Sequence, residues 1–459
     1  MNMPDVAAAS SARRPSVPPG AGGVSSRAAT VLCVVVASHA VIFLDKALLG
    51  LTAQPLMRDL DLSKAQFGAL AGASYLLFGV ACLLGGLAAD RFSPRWILLG
   101  CGLMWALGQL PAVFAVSGGM LYASRVIVGA AEGPAQPLSH VAAYAWFPNE
   151  RRGLPAALIT CGTSVGKLAL VPVLTLVIVQ FGWRAAFVTV GALSLAWSAA
   201  WLALGRTGPY GEVARQPRRG AAGRRESWGV WRRLLVNGTF LGTLAAFFAQ
   251  GALVAVVFTW LPSYFRDVLG FSAPAAGVLF TLPSALAIVF LLSVGPLTDR
   301  MLRRGVSSRM ARGVFGGGCL TCAGLTLATL HWVRTPLLAV VIVMVGYGLS
   351  TTVQAVAHPA VAEIAPPERR AGALAALAAV GSAAGVLSPA LTGRVLDAAG
   401  SPGQGYADAF LLVGLVVAAG GLCLAIFVDP GRDAALPVRE RAARPWAGRP
   451  FDLPEGPVR

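Results

Sequence analysis

Five ionisable side chains lie within long apolar stretches of the sequence: Asp45, Lys46, Arg125, Glu132 and Lys167. An ionisable side chain near the centre of a bilayer costs at least about 2.5–3.5 kcal/mol, so such residues usually serve binding, pairing or proton transfer. Because three are cations and two are acids, full ionisation leaves one positive charge, which an organic anion would neutralise. Protonation of either acid would strengthen anion binding and so link it to proton uptake.

The alternative is that these residues only neutralise one another. The candidate pairs are Asp45 with Lys46 or Arg125, and Glu132 with Lys167. Adjacent helical residues point about 100° apart, so Asp45 and Lys46 cannot simply pair with each other. Arg125 and Glu132 are seven residues apart and therefore share one helix face. We favour a function for Asp45, Glu132 and Lys167 over a purely structural role.

These residues are positioned by apolar stretches that are long enough to cross a membrane. A hydrophobic fraction of 56%, a mean hydropathy of +0.69 and a charged fraction of 12% are not those of a soluble globular protein. A membrane span needs about 20 residues, and we identify twelve: 29–53, 66–88, 96–116, 120–142, 154–179, 184–205, 239–261, 274–296, 311–332, 337–360, 371–395 and 408–428. This predicts an all-α integral membrane protein of twelve transmembrane helices in two pseudo-symmetric six-helix bundles.

A ten-residue pattern occurs twice and supports an internal duplication. Residues 86–95 read GLAADRFSPR and residues 295–304 read GPLTDRMLRR, each after an apolar stretch. The glycines permit close helix approach, and the aspartates can act at a helix terminus or pair with arginine across the halves. We predict that this motif forms a gate, with the residues Gly86, Asp90, Arg91, Arg95, Gly295, Asp299, Arg300 and Arg304.

A second repeated feature is a histidine ten residues before Glu-Arg-Arg, at His140 and at His358. Its symmetry favours a structural role over a proton relay. The duplication divides the chain into a disordered cytoplasmic tail (1–28), a first bundle (29–205), a cytoplasmic linker (206–238), a second bundle (239–428) and a cytoplasmic tail (429–459). Three further polar residues within the spans are candidate substrate contacts: Thr163, Gln250 and Ser382.

The net charge of +17 reflects topology. Most of the 37 Lys and Arg residues fall in the tails and the even-numbered loops, whereas the odd-numbered loops hold about five. This asymmetry places both termini in the cytoplasm and argues against a nucleic-acid partner. The Cys319 and Cys322 pair sits in an Ala- and Gly-rich apolar helix and favours packing over a metal site, so we expect no metal and no cofactor.

The twelve spans and the doubled G-x-x-x-D-R-x-x-x-R motif resemble the major facilitator superfamily. FLDKALL at 43–49, RVIVGAAEGPAQP at 125–137, WFPNERRG at 146–153 and TWLPSYF at 259–265 are similar to its anion:cation symporter family, which includes sugar-acid, hexuronate and aromatic-carboxylate permeases. The resemblance implies that Glu132 is the main proton carrier and Asp45 a second protonation site. It also implies that Lys46 and Arg125 bind the substrate carboxylate, and Lys167 adds a further charge.

The sequence departs from that family's pattern where hydroxyl and amide groups are common. Phe78 and Cys82 occupy positions that often hold Tyr and Gln, and a site without hydrogen-bonding groups rejects a polyhydroxylated substrate. We therefore expect a proton-coupled importer of a small, less hydroxylated organic anion in a bacterial inner membrane, acting as a monomer. A drug:proton antiporter of the same fold and a transport-incompetent sensor are the alternatives, and an enzyme is not expected.

Overall fold

The computed structural model describes residues 26–89, 92–147, 166–210, 236–365 and 370–433, with 155, 158–159, 162–163 and 234. Throughout these residues the regular structure is helical, with no strand. Most of the predicted linker and nearly all of both predicted tails lie outside the described residues, so the predicted domain boundaries remain predictions.

The first half contains six helical segments. We number them α1 (Ser26–Asp59), α2 (Lys64–Leu76 with Phe78–Ala89), α3 (Pro94–Val113), α4 (Gly118–Tyr144), and α5 with α6 as one stretch (Gly166–Leu204). At Gly182 the backbone has φ 82° and ψ 172°, a conformation that favours glycine, and this kink separates α5 from α6. The residues just before Gly166 are only partly described. The given range of α5 therefore begins with a π-helical turn, Gly166–Leu170.

The second half repeats this arrangement. Its helices are α7 (Gly238–Asp267), α8 (Ala273–Arg303), α9 (Arg309–His331), α10 (Pro336–Ile364), α11 (Arg370–Ala398) and α12 (Pro402–Phe427). Serine or asparagine caps define several starts, because the side chain of Ser63, Asn237, Ser272 or Ser401 accepts a hydrogen bond from a backbone N–H of the first turn.

The observed helices match the twelve predicted spans. In the described part of the chain, ten helical stretches are long and apolar enough to cross a membrane, and one of these is the combined α5–α6 stretch. The helix α4, with 27 residues, is long enough but carries Arg125 and Glu132 among many small residues. The fold is therefore the predicted all-α membrane fold of two six-helix bundles. Of the ten stretches, α1 and α7 are the most buried, and they lie at the centre.

The two bundles are pressed together at one end, which we call the Asp59 end because α1 finishes there. Glycines on α2 face the backbone of α11: a Cβ at Gly68 would lie 2.2 Å from the Pro389 carbonyl oxygen, and one at Gly72 would lie 2.4 Å from that of Val386. The carboxylate of Asp397 accepts hydrogen bonds from the backbone N–H groups of Lys64 and Ala65 at 3.1 and 2.8 Å. These contacts close this end.

The opposite end, which we call the terminal end because it carries Ser26 and Asp433, is less tightly packed between the bundles. Going from the Asp59 end along α2, the contact with α11 loosens to 3.7 Å between a Cβ at Gly79 and Ala379. Two turns further along α2, a Cβ at Gly86 would have no atom within 4 Å, and the same holds for Gly295 on α8. The structure is therefore closed at the Asp59 end and looser at the terminal end.

Candidate functional site

A buried ion pair joins α1, α3 and α4. The Arg125 Nη1 atom lies 3.2 Å from both carboxylate oxygens of Asp45, and Arg125 is 0% exposed. Gln109 on α3 closes the ring, since its Nε2 donates to Asp45 at 2.6 Å while its Oε1 accepts from Arg125 Nη2 at 2.6 Å. The Asp45–Arg125 pair that the sequence offered as one possibility is thus present, and the charge of each is compensated.

A second ion pair lies further along α4. The Lys46 Nζ atom is 3.4 Å from Oε2 of Glu132, and Glu132 is 4% exposed. Aromatic rings surround the ammonium, with ring centroids of Phe43, Phe78 and Tyr75 at 5.4, 5.5 and 6.0 Å. Such cation–π contacts stabilise a partly dehydrated ammonium. Because Glu132 uses Lys46 as its partner, the alternative pairing of Glu132 with Lys167 is wrong for this state.

The remaining cation, Lys167, has a different environment. Its Nζ donates to the Ser284 hydroxyl on α8 at 2.9 Å and lies 4.8 and 5.1 Å from the ring centroids of Phe43 and Phe258. Close packing of α5 on α1 holds it there, since a Cβ at Gly166 would lie 2.5 Å from the Ala40 carbonyl oxygen. Within the described ranges, no carboxylate forms an ion pair with Lys167.

The cluster therefore carries one cation in excess, as its composition predicted, and the structure identifies it as Lys167. Two carboxylates pair with Arg125 and Lys46, while among the described residues the third cation contacts a hydroxyl and two rings. A buried charge without a partner is unfavourable, and an entering anion would relieve that cost. Chemically, this arrangement can bind an anion next to a carboxylate that can take up a proton.

A narrow cavity lies beside the second ion pair. It is lined by residues of both bundles, with Lys46, Tyr75 and Glu132 from the first and Phe258 and Thr259 from the second. Its volume is about 20 Å³, which is space for about one water molecule. A carboxylate substrate fits this cavity only if the helices that line it move apart.

The other candidate contacts are Ser382, Gln250 and Thr163, and their contact with the substrate stays a prediction. Ser382 is buried and its hydroxyl donates to the Ala378 carbonyl of its own helix at 2.9 Å. Gln250 is buried on α7, and Thr163 is half-buried on α5. The described part of the chain contains no group of three or more His, Cys, Asp or Glu able to hold a metal ion.

The repeated motif is only partly described, because Asp90 and Arg91 lie outside the described residues, and its role as a gate stays a prediction. The expected close helix approach at Gly86 and Gly295 is not observed, since a Cβ at either position would have no atom within 4 Å. Of the charged members, Arg95 Nη2 donates to the Leu202 carbonyl at 2.8 Å; the second copy is exposed at Asp299, Arg300 and Arg304.

Three residues of the site were not predicted from the sequence. Gln109 is a lone amide in the apolar helix α3, and its isolation there is the signal that could have revealed it. Ser284 and Phe258 belong to the second bundle, and they reach Lys167 only because the bundles meet. No pattern in the sequence reports such contacts between bundles.

The sequence profile of the Major Facilitator Superfamily matches residues 35–358 and 306–453 of the chain. The chain belongs to the major facilitator superfamily. The structure agrees, since a D-xylose-proton symporter has a TM-score of 0.72 at 17% identity, covering 88% of this chain and 99% of that one. Major facilitator proteins are transporters and not enzymes, as the sequence analysis expected.

Relatives within the superfamily include transporters of organic anions. A hexuronate transporter of Bacillus subtilis is 26% identical over 409 residues, which cover 86% of this chain and 95% of the relative. A probable sulfoacetate transporter of Cupriavidus necator is 26% identical over 410 residues, covering 87% and 93%. The resemblance to sugar-acid and other anion permeases of the superfamily is thereby confirmed.

Proposed function

We propose that this chain is a proton-coupled symporter that imports a small organic carboxylate across a bacterial cytoplasmic membrane by alternating access. The observation that carries the proposal is the buried ammonium of Lys167, which has no carboxylate partner among the described residues. Anionic substrates also appear in the names of the two relatives described above. A carboxylate bound at Lys167 would balance the charge of the site.

Proton coupling follows from the position of Glu132 beside Lys46. When Glu132 is ionised, Lys46 is occupied by the 3.4 Å ion pair. When Glu132 takes a proton, Lys46 is released and becomes a second cation for the substrate. Proton uptake and anion binding therefore favour each other, which is the linkage that symport requires. Asp45 is the second protonation site in this scheme, with Arg125 released in the same way.

The membrane orientation and the state are inferred from the charge distribution. The terminal end carries Ser26 and Asp433, which adjoin the Arg-containing segments of the sequence, and the positive-inside rule places such segments in the cytoplasm. The structure, closed at the Asp59 end, then corresponds to the state that faces inward. The repeat motif at the terminal end would gate the opposite, outward-facing state. The protein acts as a monomer in this scheme, with each bundle rocking as a unit.

The lining of the site favours an aromatic or short aliphatic anion. Rings of Phe43, Tyr75, Phe78 and Phe258 surround the two lysines. A hexuronate carries several hydroxyl groups, and the side chains of Phe78 and Cys82 offer no hydroxyl or amide group to pair with them. Phthalate and sulfoacetate are suitable probes because both remain charged near neutral pH, and glucuronate is the hydroxylated comparison.

The test uses purified protein in proteoliposomes with an imposed pH gradient. We expect accumulation of radiolabelled phthalate or sulfoacetate, and little of glucuronate. Lys167→Gln should weaken substrate binding about 30-fold or more, because removing one partner of a buried charge pair costs about 2–5 kcal/mol. Arg58→Gln, at a side chain that is 81% exposed, is the matched control and should bind normally. Binding unchanged in Lys167→Gln would contradict the proposal, as would drug export without anion uptake.

A further inference from the structure

A buried histidine in α1 has a ring nitrogen without a hydrogen-bond partner among the described residues. His39 is 2% exposed, and its Nδ1 lies 3.3 Å from the Val35 carbonyl oxygen, so the neutral ring donates from Nδ1. Its Nε2 is buried without a hydrogen-bond partner in the described structure. An unsatisfied buried polar atom costs about 1–3 kcal/mol, so this position calls for a compensating role.

Ring packing does not provide that role, because the second bundle packs the equivalent position with phenylalanine. The His39 ring meets the His140 ring edge-on at 5.7 Å, and the Phe247 ring meets His358 in the same way at 5.1 Å. Phe247 follows His39 by 208 residues, within one of the 209 that separate Gly86 from Gly295. A phenyl ring thus suffices for packing, and His39 adds a titratable nitrogen.

His140 and His358 make the same backbone contact in their two bundles. The Nδ1 atoms of His140 and His358 lie 3.0 and 2.9 Å from the carbonyl oxygens of Gln136 and Gln354, one turn earlier in each helix. The symmetry that favoured a structural role for His140 and His358 is therefore real. It is broken at the ring that each of them meets on the first helix of its bundle, which is His39 in one bundle and Phe247 in the other.

The histidine pair lies on the terminal side of the charged cluster. His140 follows Glu132 by eight residues on α4, or about 12 Å at 1.5 Å per residue, and the exposed Gln136 lies between them. The charged and titratable groups of the described residues that act on His39 are His140 on α4 and Lys46, two turns away on its own helix. The ring of Tyr144 meets the His140 ring edge-on at 5.8 Å between centroids, further toward the terminal end.

We propose that His39, together with His140, relays the proton from Glu132 to the terminal end. The proton leaves the Glu132 carboxyl group to water, and Nε2 of His39 accepts it to form an imidazolium. The same nitrogen then releases it toward His140 and water at the terminal end. Glu132 returns to the carboxylate that pairs with Lys46, and His39 returns to the neutral ring. This relay rests on the proposed proton-coupled transport.

The test compares His39→Phe with the matched control His358→Phe in the second bundle. His39→Phe copies the ring that the second bundle uses, so it removes the titratable nitrogen while keeping the packing. We expect uptake driven by a pH gradient to fall at least about tenfold, since a positioned proton-transfer group contributes about 10²–10⁴-fold. Substrate exchange without net proton movement should stay within about twofold of wild type. His358→Phe should change neither rate.

Equal pH-driven uptake in His39→Phe and wild type would overturn the relay while leaving symport intact. If the wild-type protein itself exchanges substrate but does not respond to a pH gradient, the proposed symport fails instead. His39→Gln, which keeps a polar side chain without titration near neutral pH, serves if His39→Phe does not fold. Full driven uptake in that variant would also overturn the relay.

Discussion

The Lys46 ammonium lies 3.4 Å from the Glu132 carboxylate, and this ion pair joins α1 to α4 inside the membrane. The neighbouring residue Asp45 pairs instead with Arg125. Two adjacent residues of one helix therefore hold two charges of another helix, which lie seven residues apart. Each carboxylate is therefore a place where an arriving proton can release a cation.

Glu132→Gln should abolish accumulation driven by a pH gradient while substrate exchange continues. Glutamine has the shape of a protonated glutamate but cannot release a proton, so the site would stay in its anion-binding form. The measurement is uptake into proteoliposomes, with internal pH followed by a trapped dye. Asp408→Asn, at a half-exposed carboxylate near His331, is the control. A Glu132→Gln protein that concentrates substrate like wild type would show that another group carries the proton.

Arg125→Lys should destabilise the protein by about 1.5–3 kcal/mol, the worth of hydrogen bonds to a charged group. A lysine cannot serve both Asp45 oxygens and Gln109 as the guanidinium does. The unfolding midpoint in detergent measures the effect. Arg309→Lys is the matched change, because Arg309 is half-exposed and 3.6 Å from Asp429; it should cost less than about 1 kcal/mol. Equal midpoints for the two variants would contradict the structure.

Gly68→Ala should shift the protein toward the state open at the Asp59 end. The added Cβ would lie 2.2 Å from the Pro389 carbonyl oxygen, and overpacking costs about 1–3 kcal/mol, or roughly 5- to 150-fold in the equilibrium. A cysteine introduced as Thr259→Cys in a cysteine-free background should react faster with an impermeant thiol reagent from that side.

The control for this shift is Gly100→Ala on α3, outside the repeat motif, where a Cβ would meet no atom within 4 Å. It should leave the labelling rate at Thr259→Cys unchanged. Labelling that is unaffected by Gly68→Ala would mean that the contact between α2 and α11 does not seal the Asp59 end.

Sequence reasoning located the fold and the charged residues, because both follow from local chemistry. Apolar length predicts spans, and a charge within a span is visible without knowledge of any neighbour. The seven-residue spacing of Arg125 and Glu132 correctly placed them on one helix face, since each contacts α1. The doubled motif likewise predicted the two-bundle architecture.

The pairing of those charges could not be predicted in full. Asp45 and Lys46 diverge by about 100° on one helix, but which neighbour each meets depends on how α1 packs against α4. Lys167 meets Ser284 because α5 and α8 belong to different bundles that touch in this state. A contact of that kind depends on the conformation as well as on the sequence.

The Phe43 ring lies 5.4 Å from the Lys46 ammonium and 4.8 Å from that of Lys167. One side chain thus touches both the cation that holds Glu132 and the cation that awaits an anion. A substrate that displaces this ring on its way to Lys167 also strips Lys46 of a contact. Substrate binding at Lys167 is therefore coupled to the Lys46–Glu132 ion pair through the single side chain of Phe43.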